Sequence, residues 1–449
     1  MSANHSLPQP VTVEPPHAEP TDSGWYLTSG PELPVVAMKS DITCDCLVIG
    51  AGWMGLHAAR RFAELQPDKT VVLVDAGRIG NNASGRCMGF AIDLAHNPRK
   101  QDFVEDIQGN REELQTNQEG IDYLRSAVEE LGVDCDWDPQ GKYHSAATEH
   151  GVQDLVKFSQ ALDRMGQGYD WVERSQIQAL TGSTHYIKAL HHPGTVLLQP
   201  AKYLKNAAKR LPKNVTVHEN LPVTGATYGT PFHTFETGRS TIHAQQAIIC
   251  TAGYLTRFGF FPDSAIPVYT FASMTRRLTS SELAKLGNRP AYGLIPANSF
   301  GTTVRRTRDD RLFLRNVYAY ADNFKAPYEL VLKTQKQQQV AFDRRWPDLA
   351  AIGFEASWGG LLTLAQNGGM VFGELAPNVF GAAFCNGTGV SRGTAFGKAV
   401  AELATGRSSP VIEILKRRTT PTRAYPRIIT SLGVKFITGW RFRKAGKEV

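Results

Sequence analysis

The run Cys44-Asp45-Cys46-Leu47-Val48-Ile49-Gly50-Ala51-Gly52-Trp53-Met54-Gly55 leaves a chain like this few folds to choose from. An apolar, β-branched stretch reads as a buried strand, and Met54, Ala58, Phe62 and Leu65 then recur at helical spacing before a second strand-like run, Thr70 to Ala76. Between strand and helix the three glycines have separate tasks: Gly50 permits a tight turn, Gly52 lets the backbone approach a pyrophosphate, and Gly55 lets helix and strand pack closely. The helix amino terminus then faces the phosphate charge, with Trp53 and Met54 as its first residues. Asp75 closes the second strand at the offset where a carboxylate accepts hydrogen bonds from ribose hydroxyls. Strand, glycine turn, helix, second strand and acid together predict a βαβ dinucleotide site.

The remaining composition narrows the class. With 449 residues, 42% of them hydrophobic, the chain can bury a large core. Its longest apolar runs, such as Gln246 to Ala252 and Leu361 to Ala365, fall far short of the roughly 20 residues of a membrane-spanning helix. The first twenty residues hold five prolines and no apolar signal core, which predicts a cytoplasmic protein. The six cysteines are scattered without a CxxC pair and read as reduced thiols, Cys44 and Cys46 as small hydrophobes on the first strand. The histidines show no metal-ligand spacing, so no metal is expected, and His191-His192 reads as a turn. The net charge of +7 does not predict nucleic-acid binding, because it is concentrated in the tail. Lys416 to Val449 carries ten Lys or Arg and one acid, or +9, which leaves −2 for the rest. That tail also holds Ile428, Ile429, Leu432, Val434, Phe436, Trp440 and Phe442. The expectation is that these dock it onto its own domain with the arginines in water, the alternative being contact with an anionic membrane surface.

Nucleotide-binding signals recur in the middle of the chain and near its end, so one discontinuous domain interrupted by a second is expected. After the second strand comes Ile79-Gly80-Asn81-Asn82-Ala83-Ser84-Gly85-Arg86-Cys87-Met88-Gly89. This segment resembles the GxxASGRNGG stretch of the D-amino-acid oxidase family of flavoproteins, with Ala83, Ser84, Gly85, Arg86 and Gly89 matching and Cys87 and Met88 departing. The resemblance runs from about Trp25 to Gly406 and is nearest the branch that contains gamma-glutamylputrescine oxidoreductase. It is carried further by Gln199 to Leu204, by Ile248 to Tyr254, by Trp358-Gly359-Gly360 and by Gly387-Thr388-Gly389-Val390.

The resemblance implies an α/β fold: a discontinuous Rossmann-type FAD-binding domain (41–99, 196–256, 357–411) and an α+β substrate domain on a mainly antiparallel sheet (100–195, 257–356). An N-terminal arm (1–40), ordered from about Trp25, and a basic tail (412–449) flank them. It implies non-covalent FAD held by Gly50, Gly52, Trp53, Met54, Gly55, Asp75, Ala83, Ser84, Gly85, Arg86, Met88, Gly89, Val223, Thr251, Ala252, Gly253, Gly387, Thr388, Gly389 and Val390. It also implies oxidation of a small amine or amino acid at its C–N bond by hydride transfer to flavin N5, the imine then hydrolysing, with O2 or another electron acceptor. In the hairpin from Thr303 to Asn316, alternation turns Arg305 and Arg315 inward, where either could clamp a substrate carboxylate. Tyr254, Tyr269 and Trp358, with Trp25 and Tyr318, are candidates for an aromatic wall around the substrate. The departures at Cys87, Met88, Arg315 and Asn316 keep a second reading open, a redox-silent FAD-binding assembly protein. An NAD-only dehydrogenase leaves the ASGR segment and the late GTGV unexplained.

Overall fold

The computed structural model describes residues 10–34, 36–95 and 106–449. The βαβ unit forms where its glycines and periodicity put it: strand Ile42–Ile49, helix Trp53–Leu65 and strand Val71–Val74. Both strands are inner members of one sheet and nearly every side chain from Cys46 to Ile49 and Val71 to Val74 is buried, as parallel strands covered on both faces require. Around them the parallel order is Val215–His218, Val71–Val74, Ile42–Ile49, Thr241–Ile249, with Val379–Ala383 beside the end of the last. Antiparallel strands extend this sheet at its edge, through His233–Glu236 and Gly225–Thr227 to Val11–Thr12. Helix Ser391–Ala404 crosses the helix Trp53–Leu65 closely, because a side chain at Gly397 would stand 2.1 Å from Met54 O.

Among the described residues a second sheet has eight strands, antiparallel but for one pair, Tyr292–Pro296 beside Lys142–Ala146. The register places Trp358, Ala272, Arg315 and Thr303 in one row across it. One face packs on helix Tyr328–Arg345 through Leu312, Leu314 and Phe342. The other, bearing Phe313, Met274 and Trp358, packs on Trp25, Met88 and Phe90, and so looks toward the dinucleotide domain. The expected domain junction at residue 357 falls inside the strand Phe354–Ala365, which pairs with Ala265–Thr275 in this sheet.

Three sequence expectations change. The N-terminal segment is packed well before Trp25: Val11–Thr12 forms a sheet edge and Val13 is buried, because backbone pairing with Gly225 and Ala226 fixes it despite its prolines. His191-His192 is not a turn but the end of strand Lys188–His192, and His192 hydrogen-bonds Asp93 at 2.6 Å inside the protein. The tail does dock, but not through its apolar residues. Helix Arg427–Ala445 is held at its ends, by Arg427 on Asp322 and Asn323 and by Glu448 on Ala147 and Thr148. Ile428, Ile429, Leu432, Phe436, Ile437 and Trp440 face outward instead, while Val434 and Phe442 are partly buried.

Candidate cofactor and substrate site

The glycine turn is built as its spacing requires. Gly50 has φ +96°, a conformation open to glycine, and a Cβ on Gly55 would lie 1.7 Å from Gly50 O. A Cβ on Gly52 would meet Ser84 Oγ at 2.4 Å. Asp75 ties the turn to the second strand: Oδ2 accepts from Ala51 N (2.7 Å) and Asn82 Nδ2 (3.2 Å), and Oδ1 from Gly77 N (2.9 Å). Asp75 is 9% exposed, and these bonds make it a brace of the glycine turn. Burial raises its carboxyl above the usual range, and the hydrogen bonds from Gly77, Ala51 and Asn82 oppose that.

The ASGR segment forms a 3₁₀ turn, Ala83–Arg86, against the start of the first helix. Ser84 Oγ accepts from Trp53 N (3.2 Å), and Trp53 Nε1 donates to Ser84 O (3.0 Å). Arg86 is buried and joins three separate parts of the chain, donating to Asn81 O, Thr21 O and Gly359 O. Trp358 Nε1 returns a bond to Arg86 O.

Met88 and Gly89 are held by Arg305. Its Nη1 donates to Met88 O (2.7 Å), Gly89 O (3.0 Å) and Leu198 O (2.6 Å), while the guanidinium lies 4.9 Å from the Trp25 ring centre. Burial lowers its pKa to about 10. The substrate-clamp expectation for Arg305 is thereby corrected: its guanidinium is fully buried on backbone carbonyls, and it positions the turn.

Arg315 stands differently. Alternation from Phe313 puts it on the same sheet face, half-buried, with its guanidinium 4.8 Å from the Tyr318 ring centre and, among the described residues, no carboxylate within ion-pair distance. The aromatic candidates also divide. Trp25 and Trp358 are core residues, packed around Phe313. Tyr254 is half-buried and stacks on Phe324 with ring centres 4.6 Å apart, beneath Arg257. Burial pushes its phenol up to about 12. Tyr269 donates to Glu19 Oε1 (2.8 Å) and is nearly enclosed.

Glu19 was not visible as a site residue, since nothing in a proline-rich stretch signals that it will fold over a sheet 250 residues away. Its Oε2 is buried without a partner among the described residues. Burial raises its carboxyl, against the nearby Arg86 charge and the Tyr269 hydrogen bond. Phe324 and Arg257 were missed for the same nonlocal reason.

The remaining dinucleotide segments converge on the glycine turn. Ala252 takes φ +51° where Thr241–Ile249 ends, an uncommon conformation for a residue with a Cβ. Gly253 packs on Thr363, and Thr251 lies beside Gly50. Val223 is buried in the core under this sheet. Gly387 (φ +101°) and Gly389 border open space at the start of helix Ser391–Ala404, whose first residues carry no side-chain cap at Val390. Four buried hydroxyls, on Thr251 and Thr388 in these segments and on Thr270 and Thr363 of the neighbouring sheet, have no partner among the described residues. Buried polar groups are almost always satisfied. The orphaned hydroxyls, the open glycines and the uncapped helix start thus fit a polar ligand that completes them, and the residues present fit FAD.

The sequence model of the family described as FAD dependent oxidoreductase (DAO) matches residues 45–403. The chain is 24% identical over 406 residues to the probable oxidoreductase OrdL of Haemophilus influenzae, covering 87% of this chain and 89% of that protein. It is 26% identical over 398 residues to gamma-glutamylputrescine oxidoreductase of Escherichia coli, covering 86% and 90%. The crystal structure of glycine oxidase from Geobacillus kaustophilus superposes with a TM-score of 0.66 at 18% identity, over 86% of this chain and all of that one. Sequence profile, relatives and fold agree with the glycine turn and its convergent segments: the chain belongs to the DAO family of FAD-dependent oxidoreductases.

Proposed function

We propose that this chain oxidises the C–N bond of a small amine that carries a carboxylate, an amino acid or a close relative of one. The observation that carries the reading is Arg315, a guanidinium with no carboxylate at ion-pair distance among the described residues, on the sheet face that looks toward the dinucleotide domain. Such a fork can hold a substrate carboxylate through two parallel hydrogen bonds. The names of two similar proteins, gamma-glutamylputrescine oxidoreductase and glycine oxidase, point the same way.

FAD, when bound, supplies the two-electron oxidation by taking hydride from the carbon bearing nitrogen. The protein's own groups bind and orient. Arg315 fixes one end of the substrate. The Tyr254–Phe324 stack offers an apolar wall, and because the Tyr254 phenol titrates near 12 it remains a neutral donor at physiological pH. Low polarity around the amine favours its unprotonated form, the one that can be oxidised. Arg305 and Arg86 hold the Ala83-to-Gly89 segment in place. FAD is held without a covalent bond. The chain works in the cytoplasm, where its six unpaired thiols accord with a reducing compartment, and passes electrons to O2 or another acceptor.

The test is anaerobic mixing of the purified yellow protein with a panel of amines, paired with and without a carboxylate. Rapid loss of the flavin band with carboxylated members is expected. Arg315→Lys should raise KM for those members about tenfold or more, since a point charge cannot reproduce the fork. A flavin that no amine reduces would instead establish a redox-silent role, and unchanged KM in the Arg315 variant would remove that residue from the site.

A further inference from the structure

The C-terminal helix is inverted. On helix Arg427–Ala445 the residues turned toward the protein are mostly small or polar: Thr430 and Ala445 are buried, and Val434, Thr438, Arg441 and Phe442 are partly so. Facing out are Ile428, Ile429, Leu432, Phe436, Ile437 and Trp440, each about half to three-quarters exposed, with Phe436 at 74%. Ile428, Ile429, Leu432, Phe436 and Trp440 recur at the three- and four-residue steps of one helical stripe, which at 1.5 Å per residue runs for about 18 Å. Contiguous apolar surface of this kind on a folded protein marks a binding face.

Nothing about the docking of the helix uses that stripe. Arg427 binds Asp322 and Asn323 at one end, and Arg441 lies over Phe300. At the other end Glu448 is buried on Ala147 and Thr148, and Arg345 donates to Glu448 O and Val449 O. The outward face is therefore presented by a clamped helix and is no accident of a loose tail. It also lies beyond the family match, which ends at residue 403.

Charge selects the occupant. From Arg423 to Lys447 there are seven Lys or Arg and no acid. Arg423 and Arg427 pair with Asp263 and Asp322, whereas Lys435, Arg441, Arg443, Lys444 and Lys447 have no carboxylate at ion-pair distance among the described residues. A second copy seated on this face by twofold symmetry would bring two such basic segments together. An anionic bilayer surface accepts both features: aromatic and aliphatic side chains enter the headgroup boundary, and flanking lysines and arginines meet lipid phosphates. We propose that the helix Arg427–Ala445 docks the enzyme on an anionic membrane surface through the Ile428–Trp440 stripe. Its stack of Arg441, Phe300, Tyr318 and Arg315 then brings the Arg315 end of the substrate sheet near the lipid.

The experiment is co-sedimentation of the full-length flavoprotein with phosphatidylcholine vesicles, with and without roughly one-third phosphatidylglycerol, at low and high salt. Binding to the anionic vesicles alone, weakened by salt, is expected. Phe436→Ser should reduce partitioning about tenfold, and the pair Lys435→Glu and Lys444→Glu by more than tenfold. Because all three side chains are exposed, flavin content and amine oxidation in solution should stay at the wild-type level in these variants, which separates this inference from the proposed reaction. Absence of binding to anionic vesicles, equal binding to neutral ones, or unchanged partitioning of Phe436→Ser would each overturn the proposal. So would concentration-dependent dimers abolished by Phe436→Ser, which would make the face a contact between copies.

Discussion

Asp75 is expected to hold two things at once, and substitution should separate them. In Asp75→Ala the N–H groups of Ala51 and Gly77 lose their acceptors, the first in fully buried surroundings. An orphaned buried donor costs about 1–3 kcal/mol, and Gly77, partly exposed, sits at the low end, so the apoprotein should lose about 2–4 kcal/mol. Hydrogen bonds to a charged acceptor contribute about 1.5–3 kcal/mol each, so loss of the ribose contact should weaken FAD binding by a further factor of about 10 to 150. Asp75→Asn keeps one acceptor oxygen and should fall between wild type and Asp75→Ala in both measures. The assays are urea unfolding of the flavin-free protein by circular dichroism and titration of that protein with FAD by quenching of flavin fluorescence. Equal affinity for FAD in the alanine variant would refute the ribose assignment. Equal apoprotein stability would refute the bracing of the glycine turn, whatever happens to the flavin.

Three other outcomes are expected. Arg305→Met takes the donor from Met88 O and Leu198 O while preserving volume, and should cost about 2 kcal/mol or more together with a measurable drop in flavin occupancy, read from the visible-to-ultraviolet absorbance ratio. Asp93 should give the protein an acid-labile element: burial alone would raise its carboxyl, but the His192 hydrogen bond and the Lys142 charge hold it at about 2. A carboxyl depressed in the folded state stabilises it above about pH 4 and loses that contribution as pH falls through 2. The stability gap between wild type and Asp93→Asn, about 2 kcal/mol from this source, should therefore close over that range in urea titrations. Acid precipitation should release yellow flavin into the supernatant, as non-covalent binding requires; flavin retained on a peptide, first on Cys87 or Cys385, would contradict this.

What the sequence disclosed and what it hid follow from how far apart the cooperating residues lie. The glycine turn, both βαβ strands and the helix between them are set by local pattern, and they stand where periodicity placed them. Arg305 and Arg315 could not be told apart in this way, since alternation gives both the same face. What distinguishes them is the covering layer: Met88, Gly89 and Trp25 close over Arg305, whereas Arg315 stands on Tyr318 with no carboxylate at ion-pair distance among the described residues. The same holds for the N-terminal segment, whose composition reads as an arm. Its order comes from Arg86 reaching Thr21 O and Tyr269 reaching Glu19, contacts 65 and 250 residues away in sequence.

The tail makes the physical point most clearly. Helical spacing shows that Ile428, Leu432, Phe436 and Trp440 share a side, but spacing is blind to rotation about the helix axis. Rotation is fixed here by groups at the ends, Arg427 on Asp322 and the Glu448 carboxylate on Ala147 and Thr148. Turning the stripe inward would bury apolar area worth about 25 cal/mol per Å², and it would have to break both anchors and set the stripe against a strand end where Tyr318, Phe300 and Arg441 are already stacked. A helix that forgoes that burial while clamped by polar ends is one whose apolar face is kept for something outside the fold.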